Sequence, residues 1–377
     1  MQQVHSTSNA STGRVWPRPV IPPLPASTAG VGEPVISLNG TWKLNPHPPK
    51  GFWSNAIDPA SWPDAEVPGY TETQGFVIEE DQEYAYRRRI HIPADWAGKK
   101  VFLRFDGGSC YARVWVDGAH VRDHYGGFTT WYCDITGHVS PGRDAWLTVG
   151  VTHKPREISV FHLGGIIRDV RLVALPADYA TRLHVQTDLD GAYRDATLHV
   201  TAAVAFGQGS RAQVSLALWD PQGNPVALSP REIALSREQP EATVAIPVAA
   251  PLKWDAEHPN LYTLEAAVQV DGQVVQTLRK QIGFRKIEVR GNKLYVSGRE
   301  VTLRGVNRHD IYPKTGRAIT PELVEQDVKL FREANVNFIR TSHYPPREDF
   351  LEACDRYGIY VEDEIAVAFV YQSIQPT

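Results

Sequence analysis

The chain has 377 residues, which at roughly 150 residues per domain predicts two to three domains. Apolar residues make up 42% and charged residues 22%, ordinary globular usage that argues against wholesale disorder and against a membrane bundle. Lys and Arg total 39 against 43 Asp and Glu, a net charge of −4 with no basic stripe, so no nucleic-acid partner is expected. No apolar run approaches the ~20 residues that span a bilayer, so no membrane segment is expected either.

Residues 1–33 are rich in Ser, Thr, Gly and Pro, with prolines at 17, 19, 22, 23 and 25, and read as an extended arm. No apolar segment of about 7–15 residues marks a signal peptide, which points to the cytoplasm. From Glu33 the pattern becomes β-like. Lys100 to Asp106 alternates at its end, setting Arg104 and Asp106 opposite Leu103 and Phe105. Arg113 to Val116 runs into Asp117-Gly118, a residue pair suited to a tight hairpin. Ala145 to Val149 and Asp169 to Val173 repeat the short-strand theme, and no long amphipathic helix is visible between 34 and 176. An antiparallel sandwich over 34–176, closed by Leu175-Pro176, is the expectation.

A second β stretch, 177–286, carries strands near 182–188, 196–206, 212–219, 242–248 and 261–269, and a hairpin signal at Val270-Asp271-Gly272-Gln273. About 105 residues and some seven short strands fit an immunoglobulin-like sandwich. The Cys…Trp…Cys spacing of antibody domains is absent, so the architecture alone is implied. The pattern changes in 287–377. Val301 to Val306 reads as a strand, and Thr320-Pro321 as a helix cap followed by proline in the first turn. Val324, Val328 and Phe331 share one helical face. Asn337 to Arg340 is the next strand, and Arg347 to Tyr357 the next helix, ended by Gly358. Ile359 to Val361 is a third strand. Strand–helix–strand–helix–strand implies a parallel sheet.

Only about 80 residues follow position 297, against about 250 in a (β/α)8 barrel. Three parallel strands cannot close a barrel, and an open edge is a pairing liability. A piece of a longer protein, able to self-associate as a homo-oligomer through that edge, is the expectation.

Reactive side chains concentrate at two of these strand ends: Gly305-Val306-Asn307-Arg308-His309-Asp310 and Arg340-Thr341-Ser342-His343-Tyr344-Pro345. In a barrel both would project onto one mouth. The alternative is that His309 and His343 are loop histidines bonding nearby backbone. His309, His343 and Asp310 as a two-His-one-carboxylate metal site lack a close-spaced ligand pair, so no metal is assigned. Ser342 beside His343 lacks the G-x-S-x-G elbow of a serine hydrolase. Glu362-Asp363-Glu364 ends the third strand; it either holds a sugar hydroxyl, orients Arg340, or is a solvated or ion-paired cluster. Eight of ten tryptophans precede residue 150 (Trp16, Trp42, Trp53, Trp62, Trp96, Trp115, Trp131, Trp146), as sandwich-core fillers or as platforms for sugars. The three cysteines are too few for a disulfide framework; Cys110 and Cys133 could pair only in an exported protein, and buried thiols are the plainer reading.

The two strand-end motifs, with Pro313 and Gly316 after the first, resemble glycoside hydrolase family 2, which includes β-galactosidases, β-glucuronidases and β-mannosidases. Supporting matches are Leu38-Asn39-Gly40-Thr41-Trp42, Gly164-Gly165-Ile166-Ile167-Arg168-Asp169-Val170, Gly283-Phe284-Arg285 and Cys354-Asp355-Arg356-Tyr357-Gly358. The resemblance implies a multidomain, mostly β chain: a jelly-roll sandwich, an immunoglobulin-like sandwich, then the first three strand–helix units of a (β/α)8 TIM barrel. It also implies retaining hydrolysis of terminal β-linked sugars, galactose or glucuronic acid, by two carboxyls about 5–5.5 Å apart and without a cofactor. In the family those glutamates follow the fourth and seventh barrel strands, so neither is expected in this chain, and the chain alone is expected to be inactive. His309, Asp310, Arg340, His343, Tyr344 and Glu364 would be substrate-binding or supporting residues. Many family members carry an aspartate nine residues before the arginine matching Arg168; here that position is Ser159. The rival expectation is a non-catalytic carbohydrate-binding or structural β-sandwich protein.

Overall fold

Alternating strands and tight turns build the first unit. The computed structural model describes residues 20–108, 111–152 and 164–365. Six antiparallel strands lie in the order Asp64–Val67, Gly40–Asn45, Glu83–His91, Asp144–Thr152, Tyr111–Val116 and Ala119–Tyr125. Four more lie in the order Val35–Ser37, Val170–Leu175, Lys100–Phe105 and Trp131–Asp134. Asp117 and Gly118 both take positive φ, 46° and 80°, the backbone a two-residue hairpin requires. Trp42, Leu44, Tyr86, Trp96, Phe105 and Leu172 fill the space between the sheets. Trp42, Trp62, Trp96, Trp115 and Trp131 are buried and therefore pack cores; Trp16 lies outside the described residues. Cys133 and Cys354 are buried free thiols, and Cys110 lies outside the described residues.

The strand Lys100–Phe105 departs from its expected alternation. Arg104 is only 3% exposed, because the outer face of its sheet is covered by the rest of the molecule. Its guanidinium pairs with Asp106 and reaches Glu348 in the third unit at 2.6 Å. On the same face Phe102, Tyr132 and Leu175 pack against Leu24 from the N-terminal segment and Tyr179 from the second sandwich. That N-terminal segment is tied down further on: Ser27–Thr28 pairs with the edge strand Gln273–Ile282, and the buried Thr28 Oγ1 donates to the Ala174 carbonyl at 2.9 Å.

The second sandwich sets Tyr179–Leu189, Ala196–Ala205 and Glu241–Val248 against a sheet ordered Ser27–Thr28, Gln273–Ile282, Tyr262–Val270, Arg211–Trp219 and Pro225–Val226, with Glu232–Ser236 also pairing Arg211–Trp219. The Asp271-Gly272 hairpin again uses positive φ, 51° and 77°. A small antiparallel sheet over residues 287–300 then leads into three parallel strands, Gly305–Arg308, Phe338–Thr341 and Tyr360–Glu362. The first of these begins later than its sequence suggests. Asn337 accepts from the Arg304 N–H at 2.7 Å and donates to the Thr302 carbonyl at 3.1 Å, and ladder pairing starts at Gly305 opposite Phe338. The helices are Pro321–Glu333, capped by Thr320, and Glu348–Tyr357, ended by Gly358 in the left-handed region (φ 72°). Val324, Val328, Phe350, Ala353 and Cys354 turn inward onto Ile339 of the middle strand. Among the described residues, no helix is long and apolar enough to cross a membrane.

Candidate active site

Register in the parallel sheet decides which side chains meet. Asn307 lies opposite Arg340, and Arg340 opposite Glu362. Ile339 faces the helices, so its neighbour Arg340 faces the other side of the sheet, the side that lines a barrel interior. Glu364, two residues beyond Glu362, returns to that side. Arg340 Nη2 donates to Glu364 Oε1 at 2.6 Å and Nη1 to Asn307 Oδ1 at 3.4 Å. His343 Nδ1 sits 3.3 Å from both Glu364 Oε2 and Arg340 Nη2. One planar fork is thus held by a carboxylate, an amide and an imidazole, which fixes its orientation. Glu364 is thus paired with Arg340 and His343.

His309 and His343 stand edge to face, with ring centroids 5.6 Å apart. Burial, with Arg317 and His343 nearby, lowers the His309 pKa and so favours the neutral imidazole. Its Nδ1 lies 3.3 Å from the Tyr344 hydroxyl. Tyr344 is buried, and its ring stacks on Phe128 from the first sandwich at 4.0 Å between centroids. Tyr70, Phe128, Ile167 and Tyr344 together form the apolar joint between sandwich and barrel strands.

Asp310 is placed differently. It is 4% exposed and turned away from the Arg340 fork, with one oxygen on the Arg308 guanidinium and the other 3.3 Å from Arg168 Nη2. Arg308 also holds Asp327 at 2.8 Å. Its carboxylate is committed to two arginines, which removes it from any metal triad with the histidines. Ser342 is likewise buried. His309, Arg340, His343, Tyr344 and Glu364 are therefore gathered at one strand-end cluster, and Asp310 anchors the layer behind it. Ser159 lies outside the described residues.

Three further residues belong to the cluster. Asn307 was legible in principle, since parallel strands put it beside Arg340. Arg317 sits in a loop with no periodic signal, and Phe128 comes from another unit altogether.

Family models divide the chain along these same units. Residues 35–176 match the sugar binding domain of glycosyl hydrolases family 2, residues 179–285 match the family's next model, and residues 287–374 match its TIM barrel domain. The chain belongs to glycosyl hydrolase family 2. A β-galactosidase of Halalkalibacterium halodurans is 30% identical over 363 residues, covering 87% of this chain and 35% of the relative. One from Thermoanaerobacter pseudethanolicus is 28% identical and covers 89% of this chain and 47% of the relative. The solved β-glucuronidase of Bacteroides uniformis superposes with a TM-score of 0.79 at 25% identity, over 88% of this chain and 42% of that one. The chain thus spans about a third to a half of the length of these relatives. Within the family frame, the first sandwich, the second sandwich and the opening strands of the TIM barrel are the units described above.

Proposed function

We propose that these residues form the sugar-holding wall of a retaining β-glycosidase acting on terminal β-linked galactose or glucuronic acid. The convergence of His309, Asn307, Arg340, His343 and Glu364 on one end of three parallel strands carries this reading. Strand C-terminal ends are where barrel enzymes place their chemistry. A neutral imidazole bonds a hydroxyl, and an oriented guanidinium fork holds a carboxylate. By the family resemblance, that carboxylate is the nucleophile and the acid/base glutamate stands beyond the fourth strand, so residues 1–377 bind a glycoside without hydrolysing it. No metal or organic cofactor enters the proposed chemistry.

The test measures binding and hydrolysis of aryl β-galactosides and aryl β-glucuronides by the purified chain and by His343→Ala. Saturation-transfer NMR is expected to show binding in the parent chain, weakened roughly tenfold by loss of a hydrogen-bonding partner in the variant, with no turnover in either. Turnover that disappears in the variant would place a complete carboxyl pair within these residues. A folded chain that binds neither glycoside would favour a structural β-sandwich protein instead.

A further inference from the structure

Tyr344 joins two units of the molecule through its ring and a third party through its hydroxyl. Phe128 stacks on the ring at 4.0 Å with 12° between planes, and the Arg317 guanidinium lies over the same ring, 4.8 Å from its centroid. Phe128 is itself fixed, because Arg168 Nη1 donates to its carbonyl at 2.8 Å. The phenol oxygen accepts from the Asp310 N–H at 3.0 Å and from Arg317 Nη1. A phenol has two lone pairs and one hydrogen. Neither a backbone N–H nor a guanidinium can accept that hydrogen, whereas His309 Nδ1 lies 3.3 Å away. Tyr344 therefore donates to Nδ1, which must be the unprotonated nitrogen of a neutral ring, and the ring proton sits on Nε2.

We propose that Phe128, Arg317 and Tyr344 act as a positioning unit that holds His309 in its Nε2–H tautomer, so that His309 meets a sugar oxygen as a hydrogen-bond donor. This rests on the sugar-wall reading above and adds to it a contribution from the first sandwich. His343 makes an internal contrast: its Nδ1 faces a donor, Arg340 Nη2, and an acceptor, the Glu364 carboxylate, at similar distances. Among the described residues, the groups facing His309 include Asp310 and Arg317 from the loop after the first barrel strand, His343 and Tyr344 from the loop after the second, and Glu364 from the end of the third. Burial, then Arg317 and His343, oppose a charge on His309, while Asp310 and Glu364 favour one, and the net direction is downward.

The experiment is two-bond 1H–15N NMR on chain 1–377 labelled at the histidine imidazoles, with His309 assigned by His309→Gln. Neutral His309 is expected as Nε2–H, with the Nδ1 resonance displaced by an accepted hydrogen bond. Tyr344→Phe keeps the stack and removes the hydroxyl. It should return that resonance to its unbonded position and make His309 protonate about fivefold more readily, the worth of one hydrogen bond. Phe128→Leu keeps every charge and hydroxyl and should move both readouts the same way by less. An Nδ1–H ring in the parent chain overturns the proposal. So does an Nδ1 resonance and titration midpoint unchanged in both variants, since the imidazole's own preference would then suffice. Should Tyr344→Phe fail to fold, the parent spectrum and Phe128→Leu still decide. Adding an aryl β-galactoside and an aryl β-glucuronide separates the two readings. A His309 signal that ignores both, in a chain whose tautomer behaves as expected, removes the sugar contact and leaves the positioning unit standing.

Discussion

Asp310 and Glu364 are both carboxylates after barrel strands, yet they do different work because their surroundings differ. Glu364 is half-buried beside one arginine and one histidine, so it remains part of the strand-end cluster. Asp310 is locked between two buried arginines. Sequence places both in motifs of reactive residues; only the direction each side chain takes separates the two surroundings. His124 illustrates the same dependence on burial. Its ring stacks on Trp131 at 4.3 Å, and Trp131 stacks on Phe105 at 4.3 Å. Burial and then the neighbouring Arg122 push its pKa from 6.5 down to about 4. The folded state therefore favours the neutral ring, and the associated stability is complete above pH 6.5 and lost as pH falls from 6.5 to about 4. Urea unfolding of the parent and of His124→Phe, which keeps an aromatic ring in the stack, is expected to diverge over that window. The parent should lose on the order of 1–3 kcal/mol more than the variant between pH 7 and pH 4, since each pKa unit is worth about 1.4 kcal/mol.

At the scale of elements, caps and turns were the most legible features. Thr320 before Pro321, Gly358 after Tyr357, and the Asp-Gly pairs at 117 and 271 each mark a backbone requirement that few residues meet, and each stands where its local chemistry places it. Polar edge strands were not legible in this way. Gln273–Ile282 carries Gln, Thr, Arg and Lys among its apolar residues, because one side is open to solvent, and its alternation fades. The strand beginning at Gly305 starts four residues later than its β-like composition suggests, since Thr302 and Arg304 bond the Asn337 side chain before the ladder begins. Gly358 also serves a long-range contact. A Cβ there would lie 2.3 Å from the Ala256 carbonyl, on a backbone already at φ 72°. Gly358→Ala is expected to cost about 1–3 kcal/mol in urea unfolding, from left-handed strain and the clash together. An unchanged midpoint would mean that the junction with residue 256 yields freely.

Across the whole molecule, the first sandwich and the barrel strands are joined by charge as well as by the Tyr70, Phe128 and Tyr344 joint. Arg168 meets Asp310 at 3.3 Å, Arg104 meets Glu348 at 2.6 Å, and Arg347 meets Asp169 at 3.4 Å. Asp310→Asn leaves Arg168 buried without its counter-charge and Arg308 with Asp327 alone, and breaking such a buried pair costs about 3–5 kcal/mol. Limited trypsin digestion should then release the region after residue 300 well before the sandwiches, whereas the parent should resist as one body. Equal rates would show that the apolar joint suffices. The sequence by itself determined the order of units, the two β-sandwiches, the parallel strand–helix alternation and the two motifs that carry the family resemblance. These follow from local periodicity and turn chemistry, which depend on neighbours in the chain. The tertiary structure decided that Arg104 is buried, that Asp310 is an anchor, and that Phe128 reaches Tyr344 across 216 positions of sequence. Each depends on which surfaces meet, and residues that meet only after folding leave no periodic trace beforehand.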